Sequence, residues 1–146
     1  MAPMNFDQWE LSVPLEIRDD SLWKMKAYRI GLFLSDVAWT DAAKLLRDVR
    51  THGTADQLSR SVGKISSCIA EGYSRGTGKA RAMYYEYALG STRETRDWYY
   101  KGRHVLREKV TTHRIGLCAE LIKLLIRMTQ NERSRNNRLS PERISR

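Results

Sequence analysis

The chain has 146 residues, a mean hydropathy of −0.58 and 41% hydrophobic residues, enough for one compact core and too few for two catalytic lobes. Lysine and arginine number 26 against 17 acidic residues, and the net charge of +9 with a pI near 9.8 favours a polyanionic partner such as nucleic acid. No run of 18 uncharged apolar residues occurs and the N-terminus MAPMNFDQWE lacks a basic flank before an apolar stretch, so neither a membrane span nor an export signal is expected and the setting reads as cytoplasmic.

Charge divides the chain into three. In residues 1–20, Asp7, Glu10, Glu16, Asp19 and Asp20 face Arg18 alone; with Pro3 and Pro14 this acidic extension reads as mobile or ordered by a partner. Residues 21–131 carry the periodic segments. Residues 132–146, ERSRNNRLSPERISR, hold five arginines and almost nothing apolar, and read as a basic flexible tail.

Four helices are predicted in the middle segment. The first opens near Ser21, a plausible N-cap, with Trp23, Ala27, Ile30, Leu34 and Val37 on one face; Asp41 to Arg50 either continues it or forms a further short helix. His52-Gly53 reads as a stop, and Thr54 with Gln57 has the form of a capping box for the second helix. Leu58, Val62, Ile65 and Ile69 form its inner stripe, with Arg60, Lys64, Ser67, Glu71 and Arg75 as a polar ridge opposite and Glu71–Arg75 as an i,i+4 ion pair. Gly72, Gly76 and Gly78 end it. The third helix covers about Lys79 to His104, and the fourth runs from Thr112, a candidate N-cap, to about Gln130. With short connections and no alternating strand pattern, the expected fold is all-α, an antiparallel up-down four-helix bundle.

On the third helix Tyr84, Tyr87, Ser91, Glu94, Trp98 and Val105 are placed inward, and Arg81, Arg93, Arg96 and Arg103 outward beside Tyr85 and Tyr100. Guanidinium groups fork onto phosphate oxygens and exposed rings stack unpaired bases, so this stripe suits single-stranded RNA or DNA. A second group of cations is Arg60, Lys64, Arg75 and Lys79. A solvated arginine face kept for solubility is the plain alternative. Glu94, taken as inward, should meet a donor from a neighbouring helix or chain. On the fourth helix the apolar residues Ile115, Leu117, Ala119, Leu121, Ile122, Leu124, Leu125, Ile126 and Met128 cover more than half the wheel, and one surplus side is expected to meet another subunit.

Catalytic constellations are not found. Gly72-Tyr73-Ser74-Arg75-Gly76-Thr77-Gly78-Lys79 lacks P-loop spacing and a preceding strand. His52, His104 and His113 have no ligand spacing, Cys68 and Cys118 read as core thiols, and Glu86 and Glu94 lack the Glu-x-x-His motif of di-iron bundles. No enzyme activity, metal or cofactor is expected.

Two motifs carry a resemblance. Ile69-Ala70-Glu71-Gly72 with Arg75, then Ala88-Leu89-Gly90-Ser91 with Glu94, resemble the S-I-P-x-N-I-A-E-G-x-x-R and A-L-G-S-x-x-E patterns of the bacterial four-helix bundle family also called the 23S rRNA intervening sequence protein family. The broad group includes the diversity-generating retroelement accessory proteins. Trp23 and Ala27 fit the family's W-x-x-x-A opening; Ser66 stands where the family often has proline and Cys68 where it often has asparagine. The resemblance spans about residues 21–130. It implies a non-catalytic four-helix bundle, often a homopentameric ring, and in the retroelement branch an RNA-binding partner of a reverse transcriptase. On the ribosomal-insert branch the role is undefined. Glu71, Gly72, Ser91 and Glu94 are assigned to architecture; an interaction scaffold that never touches RNA is the competing class.

Overall fold

The computed structural model describes residues 5–138, which form six α-helices and no strand. They are α1 (Phe6–Ser12), α2 (Leu15–Arg18), α3 (Lys26–Leu45), α4 (His52–Tyr73), α5 (Gly78–Lys101) and α6 (Arg103–Arg138), with short 3-10 turns at Ser21–Lys24 and Val49–Thr51. The four long helices pack in a closed cycle, α3 on α4, α4 on α5, α5 on α6 and α6 back on α3.

Local chemistry moves several helix ends from their expected places. Ser21 caps nothing on α3: it lies in a 3-10 turn that Asp20 caps by accepting from Leu22 N–H at 2.9 Å. Residues 41–45 continue α3 without a break because Asp41, Ala42 and Leu45 keep the buried phase of Ile30, Leu34 and Ala38. Thr54 is inside α4, not at its cap. The helix starts at His52, and the Thr51 hydroxyl donates back to the Leu45 carbonyl at 2.5 Å, which ties the end of α3 to the start of α4. Thr77 caps α5 by accepting from Ala80 N–H. Thr112 likewise falls within α6, whose only interruption is Arg107 at φ 71°, ψ 171°. That region favours glycine, so this arginine holds backbone strain at a kink that sets the first turn of α6 apart from the rest of the helix.

The core is the set of stripes facing the centre of this cycle: Ile30, Leu34 and Leu45 of α3, Leu58, Ile65 and Ile69 of α4, Tyr99 of α5, and Leu121 and Leu125 of α6. Each aliphatic side chain fully withdrawn from water contributes roughly 1.5–3 kcal/mol. The Leu58/Val62/Ile65/Ile69 stripe is buried throughout, as its spacing predicts.

Where the sequence reads as mobile or ordered by a partner, residues 5–20 of the acidic extension carry α1 and α2 and pack on the chain's own helices. Phe6, Trp9 and Val13 repeat at three and four residues and bury one side of α1 and its exit. Trp9 lies 5.3 Å from Phe33 and 6.0 Å from Trp23 between ring centres, and Leu117 of α6 packs against the same cluster. Polar bonds fasten the rim: Trp9 Nε1 donates to Asp36 at 2.6 Å, and Arg29 meets Glu10 at 2.7 Å. Part of the surplus apolar side of α6 is therefore covered by the chain's own N-terminal helix. Of the rest, Ile115, Leu124 and Met128 pack on the main core, and Ala119 and Ile126 are half-buried outside it. The expected flexible tail is helical as far as Arg138, and Glu132 is held by Arg81; residues 139–146 lie outside the described residues.

Candidate nucleic-acid interface

The α4 ridge emerges as its spacing predicts, with Arg60, Lys64, Ser67, Glu71 and Arg75 all exposed. Its internal pairing differs. Arg60 bonds Asp56 at 3.1 Å, while Arg75 leaves Glu71 and turns to Tyr84, donating to its hydroxyl at 2.7 Å with the guanidinium 4.7 Å from the ring centre. The ring of Tyr84 offers the arginine both an acceptor and a π-face, which outweighs a solvated i,i+4 pair.

The phase of α5 is rotated from the predicted one. Ala82, Tyr85, Ala88, Thr92, Thr95 and Tyr99 face inward, whereas Tyr87 and Glu94 are exposed and Tyr84, Ser91, Trp98 and Val105 half-buried. Close approach to α4 is the cause. Small residues line the seam, and their hydroxyls are satisfied locally: Thr92 donates to Ala88 O at 2.7 Å, and Thr95 lies 2.8 Å from Ser91 O and 2.9 Å from Ser61 Oγ. Two corrections follow for the binding set. Tyr85 is only 2% exposed and cannot stack on a base. Glu94 is no buried carboxylate: it is exposed and accepts from Trp98 Nε1 at 3.4 Å.

The cations of the stripe differ in availability. Arg81 is engaged, its Nε 2.9 Å from Glu132 and a terminal nitrogen donating to Arg75 O, which takes it out of the phosphate-binding set. Arg93 is exposed and Arg96 half-buried, and neither meets a carboxylate among the described residues. Arg103 lies 4.0 Å over the ring of Tyr100, which is half exposed. That leaves the opposite ring face open beside a guanidinium. Lys64 and Lys79 are exposed without an ion pair among the described residues, and Lys79 lines an open hollow of about 600 Å³ with Met83, Glu86 and Arg133.

These groups form two faces. The Glu86–Arg133 and Arg81–Glu132 pairs mark the side of α5 that meets α6. At ~100° per residue Arg93, Arg96 and Tyr100 fall within about 80° of Glu86, on that side, and Arg103 at the start of α6 lies over the Tyr100 ring. The α4 ridge lies across the other seam, where Ser61 meets Thr95 and Gly72 meets Tyr84. On α6 two exposed cations, Lys123 and Arg127, were missed in the sequence reading. They stand four apart outside the Leu121/Leu125 stripe, and the wheel argument used for α4 and α5 would have found them.

Among the described residues the buried carboxylate is Asp41, which is fully buried. Its Oδ2 accepts from Arg114 Nε at 2.7 Å and from Tyr99 OH at 2.8 Å, and Oδ1 accepts from the Arg114 fork at 3.2 Å. Burial and the Arg114 charge lower the pKa of His113, whose Nδ1 is 2.6 Å from an Arg114 nitrogen. Burial, then Asp41, hold the Tyr99 phenol well above its ordinary 10.0; burial pushes Tyr85 up to about 12 and the Cys118 thiol from 9.0 to about 12. Above pH 9 the unfolded chain releases protons that the folded chain keeps, so stability is complete below pH 9 and falls as pH rises toward 12. Urea midpoints measured at pH 8 and pH 10.5 should show a clear drop at the higher pH; equal midpoints would contradict it.

Among the described residues no three His, Cys, Asp or Glu side chains gather as a metal site, both cysteines are free, and no helix is long and apolar enough to cross a membrane. The model of the family described as 23S rRNA-intervening sequence protein matches residues 24–127, more than two thirds of the chain. No curated protein and no solved structure matches. The segment that carries α3, α4, α5 and most of α6 is the matched one, and the chain belongs to the 23S rRNA-intervening sequence protein family.

Proposed function

We propose that the chain is a non-catalytic, cytoplasmic RNA-binding adaptor, an antiparallel up-down four-helix bundle that assembles as a homo-oligomeric ring. The closed packing cycle of the four long helices supports the bundle, and the resemblance supports a pentamer. The observation that carries RNA binding is the α5 face with Arg93 and Arg96 free of carboxylates and the Tyr100 ring backed by Arg103. Lys123 and Arg127 add exposed cations on the outer side of α6. Free guanidinium groups displace counterions from phosphates, and an open ring face takes an unpaired base. Copies in a ring would repeat the face and add weak contacts through multivalency.

The test is filter binding of single-stranded RNA to the wild type and to Arg93→Glu/Arg96→Glu over a salt series. Losing two phosphate contacts should weaken binding about 30-fold at 0.15 M salt and reduce the log–log salt slope by about 1.4. Wild-type binding insensitive to salt, or a variant that binds like the wild type, would overturn the reading.

A second reading, partnership with a reverse transcriptase as in the retroelement branch, draws support from the separate α4 face. Lys64 there is not needed by the α5 stripe and could dock an acidic protein surface. Lys64→Glu would then abolish co-purification with a co-expressed reverse transcriptase and spare RNA affinity.

A further inference from the structure

Ionised residues make up 29% of the chain, yet the outer side of the α3/α4 seam carries almost none. The seam is located by Gly31, where an added Cβ would stand 3.0 Å from Ile65 Cγ2 and 3.5 Å from Ser66 N, and by His52 Nε2, 2.8 Å from Leu46 O. At ~100° per residue Ser35, Trp39 and Leu46 lie within about 80° of Gly31 on α3, and Ser59 and Gly63 within about 60° of Ser66 on α4. Trp39 is 84% exposed and Leu46 54%, with Ala43 exposed between them, and Val49 in the next turn is 79% exposed. Gly63 has open space where a Cβ would be.

The nearby charges are neutralised or turned aside. Asp56 and Arg60 pair with each other, and Asp36 holds the Trp9 indole N–H. Arg47 and Lys64, each one residue beyond a seam position, point about 100° away from it.

We infer that this face, centred on Trp39, is the contact between copies of the chain. The inference rests on the assembly part of the proposed function and identifies its surface. RNA or an acidic protein would need cations here, and the face offers none. A second copy also carries +9, so two copies can meet closely only where neither presents charge. Trp39 supplies a large rigid anchor of the kind that dominates interface energies, while Ser59, Gly63 and Ala43 make a shallow floor that lets a facing indole seat. On the apolar arc of α6, the other surface suited to assembly by sequence, every residue is buried or half-buried in the subunit and none is as open as Trp39.

Sedimentation velocity of the full chain over a range of concentrations tests this, with Trp39→Glu and, separately, Gly63→Glu. Both positions are open to solvent in the isolated subunit, so circular dichroism spectra and melting below the assembly concentration should match the wild type. The expected result is an oligomer for the wild type and a dissociation constant raised about 100-fold in each variant. RNA affinity per subunit, measured with a short oligonucleotide that spans one subunit, should not change. A wild-type oligomer that both variants retain would overturn the Trp39 face and leave assembly standing. A wild type that sediments as a monomer at all concentrations would overturn the assembly reading and this inference with it.

Discussion

Replacing Asp41 with alanine should lower stability by about 3–5 kcal/mol, the usual consequence of stripping one partner from a buried ion pair. Asp41 joins three helices: it sits on α3 and accepts from Tyr99 of α5 and Arg114 of α6. Without it a guanidinium whose side chain is 11% exposed, and a fully buried phenol, both lose their acceptor. At roughly 2–4 °C per kcal/mol for a chain of this size, the melting temperature should fall by about 10 °C or more. The network is a demand for mutual satisfaction more than a net source of stability, since the attraction of the pair is largely offset by the cost of drying both charges. Asp41→Leu combined with Arg114→Met should therefore recover most of the loss, in a double-mutant cycle read by urea unfolding. A single Asp41→Ala variant that melts with the wild type, or a double variant no more stable than the single, would refute this account.

Asp41 also shows what could be read from the sequence and what could not. Its place is legible, because it follows Ile30, Leu34 and Ala38 in the buried phase of α3. Its partner is not, since Arg114 lies 73 residues away and nothing local selects it over the other arginines. The buried side of α4 was legible because branched aliphatics alternate there with a continuous polar ridge. The rotation of α5 was not, because its inner face is made of alanine and threonine while tyrosine and tryptophan lie at the rim, and a hydrophobic wheel assigns the aromatic side to the core. Threonine can serve inside because its hydroxyl bonds the carbonyl one turn back, a compensation that residue type alone does not reveal. The acidic N-terminal segment was misjudged for the opposite reason. Charge dominated its composition, while Phe6, Trp9 and Val13, spaced three and four apart, carried the packing signal. Of the arginine stripe Arg93 is exposed while Arg81, Arg96 and Arg103 are half-buried, and the withdrawal of Arg81 by Glu132, like that of Arg75 in the second group by Tyr84, is fixed by tertiary packing.

Gly72→Ala is expected to cost about 3 kcal/mol, at the upper end for adding one methyl group to a packed interior. In a mid-helix position alanine normally stabilises by up to about 1 kcal/mol over glycine, so the sign of the effect decides between helix propensity and packing. Packing should win here. The new Cβ would lie 2.8 Å from Tyr84 Cβ and 2.9 Å from Tyr85 Cε1, well inside ordinary contact. Tyr84 Cβ is attached to the α5 backbone and cannot swing away, and the Tyr85 ring is buried with no free volume to enter. Relief requires α4 and α5 to move apart at the level where Arg75 engages Tyr84, so the variant should also loosen the α4 face. Gly63→Ala on the same helix, compared below the assembly concentration, is the matched control, because nothing in the subunit lies within 4 Å of its Cβ and only propensity acts. Thermal unfolding should therefore place the two variants on opposite sides of the wild type, Gly63→Ala slightly above and Gly72→Ala several degrees below. If both variants are stabilised, α4 and α5 do not approach as closely at Gly72 as the structure shows, and the assignment of this motif glycine to helix packing fails.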